Sequence, residues 1–344
     1  MYKLFRPILF LFSPESIHHI IVFMMKVVGY IPCLSYLLRK HFTISDKRLE
    51  RELFNIKFSN PVGLAAGFDK NAEVFSQMAM FGFGFIEIGT VTPLAQKGNA
   101  RPRCFRLPAD KAIINRMGFN NKGVEVAAKR LHKKRKHGLI IGGNIGKNTA
   151  TSNENANNDY NHDFTTLYDY VDYFVVNISC PNINNLRELQ NKDELTALLT
   201  GLVEERRFQD EYKPILLKIS PDLSFEQIDE TLDIIDKIGI DGIVATNTTT
   251  SRKGLKASTR KIEKIGNGGL SGTPLAQRSL EIVRYIDQKT GSKLPIIGVG
   301  GIMTVQDAIN MLNAGASLVQ VYTGFIYEGP GFVKQINRRL LQPN

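Results

Sequence analysis

From about position 60 to its end, the chain alternates eight times between a short apolar run and a helical pattern. The runs cover residues 62–66, 85–89, 139–145, 173–178, 215–219, 242–246, 295–299 and 318–322. They are five to seven residues long and largely apolar rather than strictly alternating, the pattern of strands covered on both faces. Helical patterns lie between and after them at about 71–81, 121–136, 163–171, 192–209, 224–238, 275–289, 304–313 and 330–341. Eight buried strands, each followed by a helix, predict an α/β fold of the (β/α)8 TIM barrel type. A doubly wound open sheet is the alternative, and it fits less well because no G-x-G-x-x-G opens the first unit. Residues 51–58 read as a small strand pair closing the barrel bottom.

Active sites of such barrels lie at the C-terminal strand ends. Those ends are unusually polar here: Lys70 after strand one, Thr90 after two, Asn144 in three, Asn177 in four, Lys218 in five, and Thr246, Asn247 and Thr248 at the end of six. One asparagine is an ordinary loop residue; Asn144, Asn177 and Asn247 converging on one mouth are a signal. Gly300, Gly301 and Gly324, after strands seven and eight, let backbone amides approach a phosphate closely, or serve only tight turns. The run Asn177-Ile178-Ser179-Cys180-Pro181-Asn182 ends strand four, because proline has no amide to donate to a ladder. A thiol between two carboxamides suits a proton acceptor beside a planar polar substrate. The alternative is a small, inert core residue; the polar groups at the other strand ends favour the first reading.

The first forty residues differ from the rest. Large apolar side chains crowd positions 4–12, and Ser13-Pro14-Glu15 has the form of a helix start. Residues 20–38 are again apolar, but Lys26, Gly29 and Pro32 interrupt a stretch that would need about 20 apolar residues to span a membrane. The pattern predicts two short amphipathic helices lying in a membrane interface, with a helical cap on the barrel as the alternative. The expected organisation is a docking module over residues 1–45 and a barrel over 46–344. A net charge of +11 suits anionic substrates, phosphates or anionic lipid. The basic residues are scattered and carry no nucleic-acid-reading motif. Three cysteines without a CxxC argue against a disulfide framework, and no His/Cys/Asp/Glu pattern suggests a metal.

Ten strings together carry a more specific signal: NPVGLAAGFDK (60–70), IEIGTVTP (86–93), RPRCFRL (101–107), INRMGFNN (114–121), NIGKN (144–148), NISCPN (177–182), ATNTT (245–249), GGLSG (268–272), GVGGI (298–302) and VYTGF (321–325). With them, the chain resembles the dihydroorotate dehydrogenases of the membrane-associated, quinone-dependent class 2, from the N-terminal helices to about Leu341. The resemblance implies FMN as cofactor and oxidation of dihydroorotate to orotate in pyrimidine synthesis, with a membrane quinone as electron acceptor. Carried onto this chain, the FMN shell is Ala66, Gly67, Lys70, Thr90, Asn144, Asn177, Lys218, Thr246, Gly272, Gly301, Tyr322 and Thr323. The orotate shell is Lys70, Asn115, Met117, Gly118, Phe119, Asn177, Asn182, Asn247 and Thr248, and the quinone tunnel His18, Arg103 and Tyr322. Cys180 is the implied catalytic base. It departs from the class 2 pattern, which has serine there; cysteine is the habit of the soluble class 1.

Asparagine suits orotate independently, since the ring edge alternates acceptors and donors and a carboxamide supplies both. The resemblance further implies peripheral attachment to the cytoplasmic face of a bacterial inner membrane and no obligate protein partner. Two rival readings stay open at this level: a soluble class 1 enzyme using fumarate or NAD, and a non-catalytic flavin-binding membrane protein.

Overall fold

The structure, a computed structural model, describes residues 2–134, 138–179, 189 and 191–342. Three helices lead the chain: α1 (Tyr2–Leu11), α2 (Pro14–Gly29) and α3 (Pro32–Phe42). A hairpin of β1 (Arg51–Leu53) and β2 (Ile56–Phe58) follows, then β3 (Val62–Leu64), α4 (Phe75–Met78) and β4 (Phe85–Val91). Next come β5 (Cys104–Leu107), β6 (Ala112–Asn115) and α5 (Val124–Lys134). The alternation resumes with β7 (Ile140–Ile145), α6 (Ala156–Leu167), β8 (Tyr173–Asn177), α7 (Lys192–Arg206), β9 (Ile215–Ile219), α8 (Phe225–Ile238) and β10 (Gly242–Ala245). The chain ends with α9 (Thr259–Ile265), β11 (Gly269–Gly272), α10 (Ala276–Thr290), β12 (Ile296–Val299), α11 (Val305–Asn313), β13 (Leu318–Val321), α12 (Thr323–Glu328) and α13 (Phe332–Leu340).

Eight strands close into a parallel barrel in the order β3-β4-β7-β8-β9-β10-β12-β13, as the alternation predicts. Inside and outside alternate along each strand. Phe174 and Val176 face the helix layer with Ile215 and Leu217, while Tyr173, Val175 and Leu216 fill the bore. Both faces are apolar, which is why the strands read as unbroken apolar runs. The β1–β2 hairpin plugs the bottom, where the fully buried Phe58 meets Phe85 edge-on at 5.3 Å. Glycines make room for this floor: a Cβ on Gly63 would strike the Phe85 ring, and one on Gly142 the Tyr173 ring, each at 2.3 Å. Local signals bound the outer helices. Ser224 and Gln227 form a capping box on α8, which Gly239 ends at φ +82°.

Three expectations change. The N-terminal segment forms three helices rather than two, α2 and α3 meeting at 110°; Pro32 starts a new helix instead of ending one. The helix placed at 163–171 begins at Ala156, since Tyr160, Phe164 and Leu167 bury one face of a segment whose other residues are polar. A three-stranded antiparallel sheet, β5-β6-β11, stands beside the barrel and was not anticipated.

Helix α2 is fastened at both ends. Ser13 caps it, accepting from Ser16 N at 3.1 Å, and Glu15 in its first turn accepts from Arg103 Nη2 at 2.7 Å and pairs with Arg101 at 3.0 Å. Near its C-terminus Lys26 pairs with Glu73, which also takes Lys122 at 3.0 Å and Arg130 at 3.4 Å. The other face is uncovered: apart from Leu94, Phe208, Tyr212 and Phe225, every exposed large apolar side chain among the described residues lies between Leu4 and Leu37. Among those residues no single helix is long and apolar enough to cross a membrane.

Burial pushes the Glu15 carboxyl up, but the hydrogen bond and charge of Arg103, with Arg101, outweigh it and hold it below its ordinary value. Burial acts likewise on Glu73, where Lys26, Lys122 and Arg130 win and hold it at about 2. Groups with depressed folded pKa values stabilise above their unfolded values and lose that contribution as pH falls. Acidification from about pH 5 toward about pH 2 should therefore free α2 before the barrel opens. Hydrogen exchange would read this as lost protection over residues 14–29 while the barrel strands stay protected. Glu73→Gln should weaken the docking at neutral pH by about 1 kcal/mol, since Lys26 is partly exposed. Simultaneous loss in helix and barrel would show that the carboxylates do not set the docking.

Candidate active site at the barrel mouth

The bore changes character above its apolar floor. Glu87 of β4 alternates with Ile86 and Ile88, which face the helices, so its side chain enters the bore, where it is fully buried. Its Oε1 accepts from Asn144 Nδ2 of β7 at 2.7 Å, and its Oε2 from Gln320 Nε2 of β13 at 2.5 Å. Lys218 Nζ of β9 lies 3.6 Å from Oε1, close enough to pair but beyond a hydrogen bond.

From this carboxylate a polar chain climbs to the mouth. Thr90 donates its hydroxyl to Asn144 Oδ1. Asn177 Nδ2 donates to Thr90 Oγ1 at 2.9 Å and lies 3.3 Å from Asn144 Oδ1. Asn247 Nδ2 donates to Asn177 Oδ1 at 3.2 Å and to Ser179 Oγ at 3.0 Å. Tyr160 of α6 fixes the end of β8 by donating to Asn177 O at 2.9 Å. The three asparagines singled out by their strand positions thus form one connected group with Thr90. Thr248 joins them, donating its amide to Asn247 Oδ1 at 2.8 Å.

A second group lies over the ends of β11, β12 and β13. Gly301, at φ +73°, is pressed on the start of α10, where a Cβ would come within 2.1 Å of Ala276 Cα. Gly324 abuts Ile302 O, at 2.1 Å from an added Cβ. These glycines therefore have a packing reason, and the same packing brings the turns after β12 and β13 together. Thr323 and Ser271 share a hydroxyl hydrogen bond of 2.8 Å, which places Gly272 beside them. Thr246 bonds Ser279 of α10 at 2.9 Å.

The loop after β6 is drawn over the mouth. Asn115 ends β6, opposite Gly269 and Cys104. Met117 O accepts from Asn99 N at 3.1 Å, and Phe119 O from Asn121 Nδ2 at 2.7 Å. Gly118 and Phe119 both have positive φ, and the Phe119 ring lies where a Cβ on Gly146 would meet it at 2.9 Å. In the turn after β3, Lys70 Nζ donates to Gly67 O at 2.7 Å, and burial lowers its pKa. Ala66 precedes Gly67 in this turn, whose Gly67 amide donates to Gly89 O at 2.7 Å.

The residues assigned to the tunnel gather between α2 and the mouth. His18 contacts Phe68 edge-on at 5.0 Å, and Phe68 contacts Tyr322 at 6.0 Å. Burial and then the Lys70 charge lower the His18 pKa to about 4, so the ring is neutral at physiological pH. Arg103 is saturated by Glu15, Lys97 O at 2.6 Å and Asn99 O at 2.9 Å. Cys180 and Asn182 lie outside the described residues. Sequence reasoning passed over Glu87, Gln320 and Glu15. A polar residue inside an apolar run was the available signal for Glu87 (85–89) and Gln320 (318–322); Glu15 was marked only as part of a helix start.

The sequence model of the dihydroorotate dehydrogenase family matches residues 48–343. A dihydroorotate dehydrogenase (quinone) of Christiangramia forsetii is 53% identical over 99% of both chains. Its counterpart in Trichodesmium erythraeum is 45% identical over 99% of this chain and 95% of its own. The crystal structure of the Eimeria tenella DHODH with ferulenol superposes with a TM-score of 0.86 at 35% identity, covering 96% of this chain and 91% of that one. The barrel, its polar mouth and these near full-length likenesses together establish that the chain belongs to the dihydroorotate dehydrogenase family, in its quinone-dependent class.

Proposed function

We propose that this chain oxidises dihydroorotate to orotate in pyrimidine biosynthesis and passes the electrons, through FMN at the barrel mouth, to a membrane quinone. The observation that carries the reading is the connected set Thr90, Asn144, Asn177 and Asn247 beside Lys218, within one mouth that also holds the glycine turns after β12 and β13. The chemistry of that donor set fits the group. Carboxamides and an amine match the alternating edge of a flavin ring, and closely packed glycine turns leave amides for its phosphate. Ala66, Gly67, Lys70, Thr90, Asn144, Asn177, Lys218, Thr246, Gly272, Gly301, Tyr322 and Thr323 would hold it. When bound, FMN supplies a two-electron acceptor that substrate can reduce and a quinone can reoxidise.

The chain's own part is binding, orientation and proton removal. Asn115, Asn177, Asn182, Asn247 and Thr248 orient the substrate ring, and the loop Met117-Gly118-Phe119 with Lys70 receives its carboxylate. Cys180 takes the proton from C5 of dihydroorotate as C6 gives up hydride. Lys218 holds a positive charge where negative charge accumulates. Between α2 and the mouth, the neutral His18 with Arg103 and Tyr322 borders the quinone's approach. The uncovered apolar face from Leu4 to Leu37 supports attachment to a membrane surface, in the bacterial case the cytoplasmic face of the inner membrane.

Lys218→Ala should lower flavin content or slow flavin reduction by roughly a hundred-fold, because it removes a cation from a site shielded from water. Unchanged flavin content and rate would sink that role. Cys180→Ala should abolish flavin reduction by dihydroorotate and leave reoxidation by quinone nearly intact. Cys180→Ser should keep partial activity with its pH optimum moved upward, since a hydroxyl is a far weaker acid than a thiol of pKa about 8.5. Stopped-flow measurement of the two half-reactions separates these cases; parental reduction in Cys180→Ala would make the thiol mere packing.

A further inference from the structure

The side chain least explained by the reading above is Glu87. It is fully buried above an apolar floor of Phe58, Phe85, Tyr173 and Val175. Burying a carboxylate costs several kcal/mol before its partners compensate, and apolar replacements of buried pairs are often as stable. Folding alone gives little reason for an acid there. Two features of its surroundings supply one.

The first is direction. An ionised carboxylate only accepts hydrogen bonds. Asn144 must therefore turn its NH2 down to Glu87 Oε1, at 2.7 Å, and its carbonyl up toward Thr90 and Asn177. Asn177 must in turn offer Nδ2 to Thr90 and Asn144, which leaves its Oδ1 for Asn247 Nδ2 at 3.2 Å. One acceptor at the bottom thus sets which end of each carboxamide faces the mouth. A glutamine at 87 could donate as well as accept, and the constraint would vanish. The second feature is charge. Lys218 Nζ is 3.6 Å from Glu87 Oε1, near enough for the carboxylate to offset the cation, yet with its N–H groups still available to another acceptor.

We propose that Glu87 is a positioning residue for this site: it fixes the amide orientations of Asn144, Asn177 and Asn247, and it offsets the Lys218 cation so that the bound flavin is held at a lower reduction potential than Lys218 alone would impose. This rests on the flavin-dependent reading above. Glu87 acts entirely through its neighbours. Removing its charge leaves Lys218 uncompensated, which favours the anionic reduced flavin. Releasing Asn144 lets the carboxamides above adopt mixed orientations, which weakens recognition of the orotate edge.

The test uses full-length holoenzyme and two readouts that need no turnover: the equilibrium potential of the bound flavin, and orotate affinity from its perturbation of the flavin spectrum. Glu87→Gln should favour the reduced flavin at least tenfold, a positive shift of about 30 mV for a two-electron couple, and should weaken orotate binding about fivefold, a loss of roughly 1 kcal/mol. Glu87→Asp, which keeps the charge, should bring the potential back toward the parental value. In a Lys218→Ala background, Glu87→Gln should move the potential far less. If Glu87→Gln does not retain flavin, Gln320→Met serves: stripping a donor from the carboxylate strengthens its field and should shift the potential negative. An unmoved potential in whichever variant binds flavin, or the same shift with and without Lys218, overturns the proposal. A parent protein without flavin, or with flavin that dihydroorotate does not bleach, would overturn the functional reading itself, a result distinct from an unmoved potential.

Discussion

Closing eight parallel strands into a ring uses every strand edge, and the remaining organisation follows from that closure. With no free edge, the interior communicates with solvent only through its two ends. The β1–β2 hairpin blocks one, with Phe58 against Phe85. Alternate residues of each strand then have fixed destinations, the helix layer or the bore. Leu217 and Val176 meet helices; Leu216 and Val175 meet the bore. Polar side chains on bore-facing positions can be satisfied only by one another or by a ligand entering the open end. That is where Glu87, Asn144, Lys218 and Gln320 stand.

Those four residues come from four different strands, so their mutual geometry is as rigid as the barrel itself. Sites built on strands hold their groups more closely than sites built on loops. The carboxamides nearer the mouth are less constrained by the ladder, and they are held by side-chain bonds instead: Asn177 through Thr90, Asn247 through Asn177 and Ser179. The loop carrying Met117 and Phe119 is tied to a separate sheet, β5-β6-β11, through Asn115. Deep groups are thus rigid, and the cover is attached to a sheet outside the barrel.

The N-terminal helices are held by charge at the two ends of α2 and by apolar contacts of Val22, Met25 and Phe42 with the barrel core, and are left apolar outside. Helix α2 is pinned by Glu15 to Arg103 and by Lys26 to Glu73, while Phe23, Met24 and Val27 stay exposed. Between those pins His18 meets Phe68 edge-on, and Phe68 meets Tyr322 at the end of β13, linking α2 to the mouth.

The amino-acid sequence by itself determined the barrel, because strands buried on both faces must be apolar along their length, and eight such runs separated by helices have few ways to close. It determined the polar strand ends as well, since Asn144, Asn177, Lys218 and Asn247 stand out against that apolar background. It left the β5-β6-β11 sheet hidden: four-residue strands carry too little pattern, and β11 pairs with β6 from more than a hundred residues away. The charge of Glu87 is visible within the run 85–89, but its role is not. Its partners come from β7, β9 and β13, neighbours only once the barrel has closed. Tertiary structure alone decided which polar groups meet, because a hydrogen bond depends on distance in space and sequence periodicity reports only which face of its own element a residue occupies.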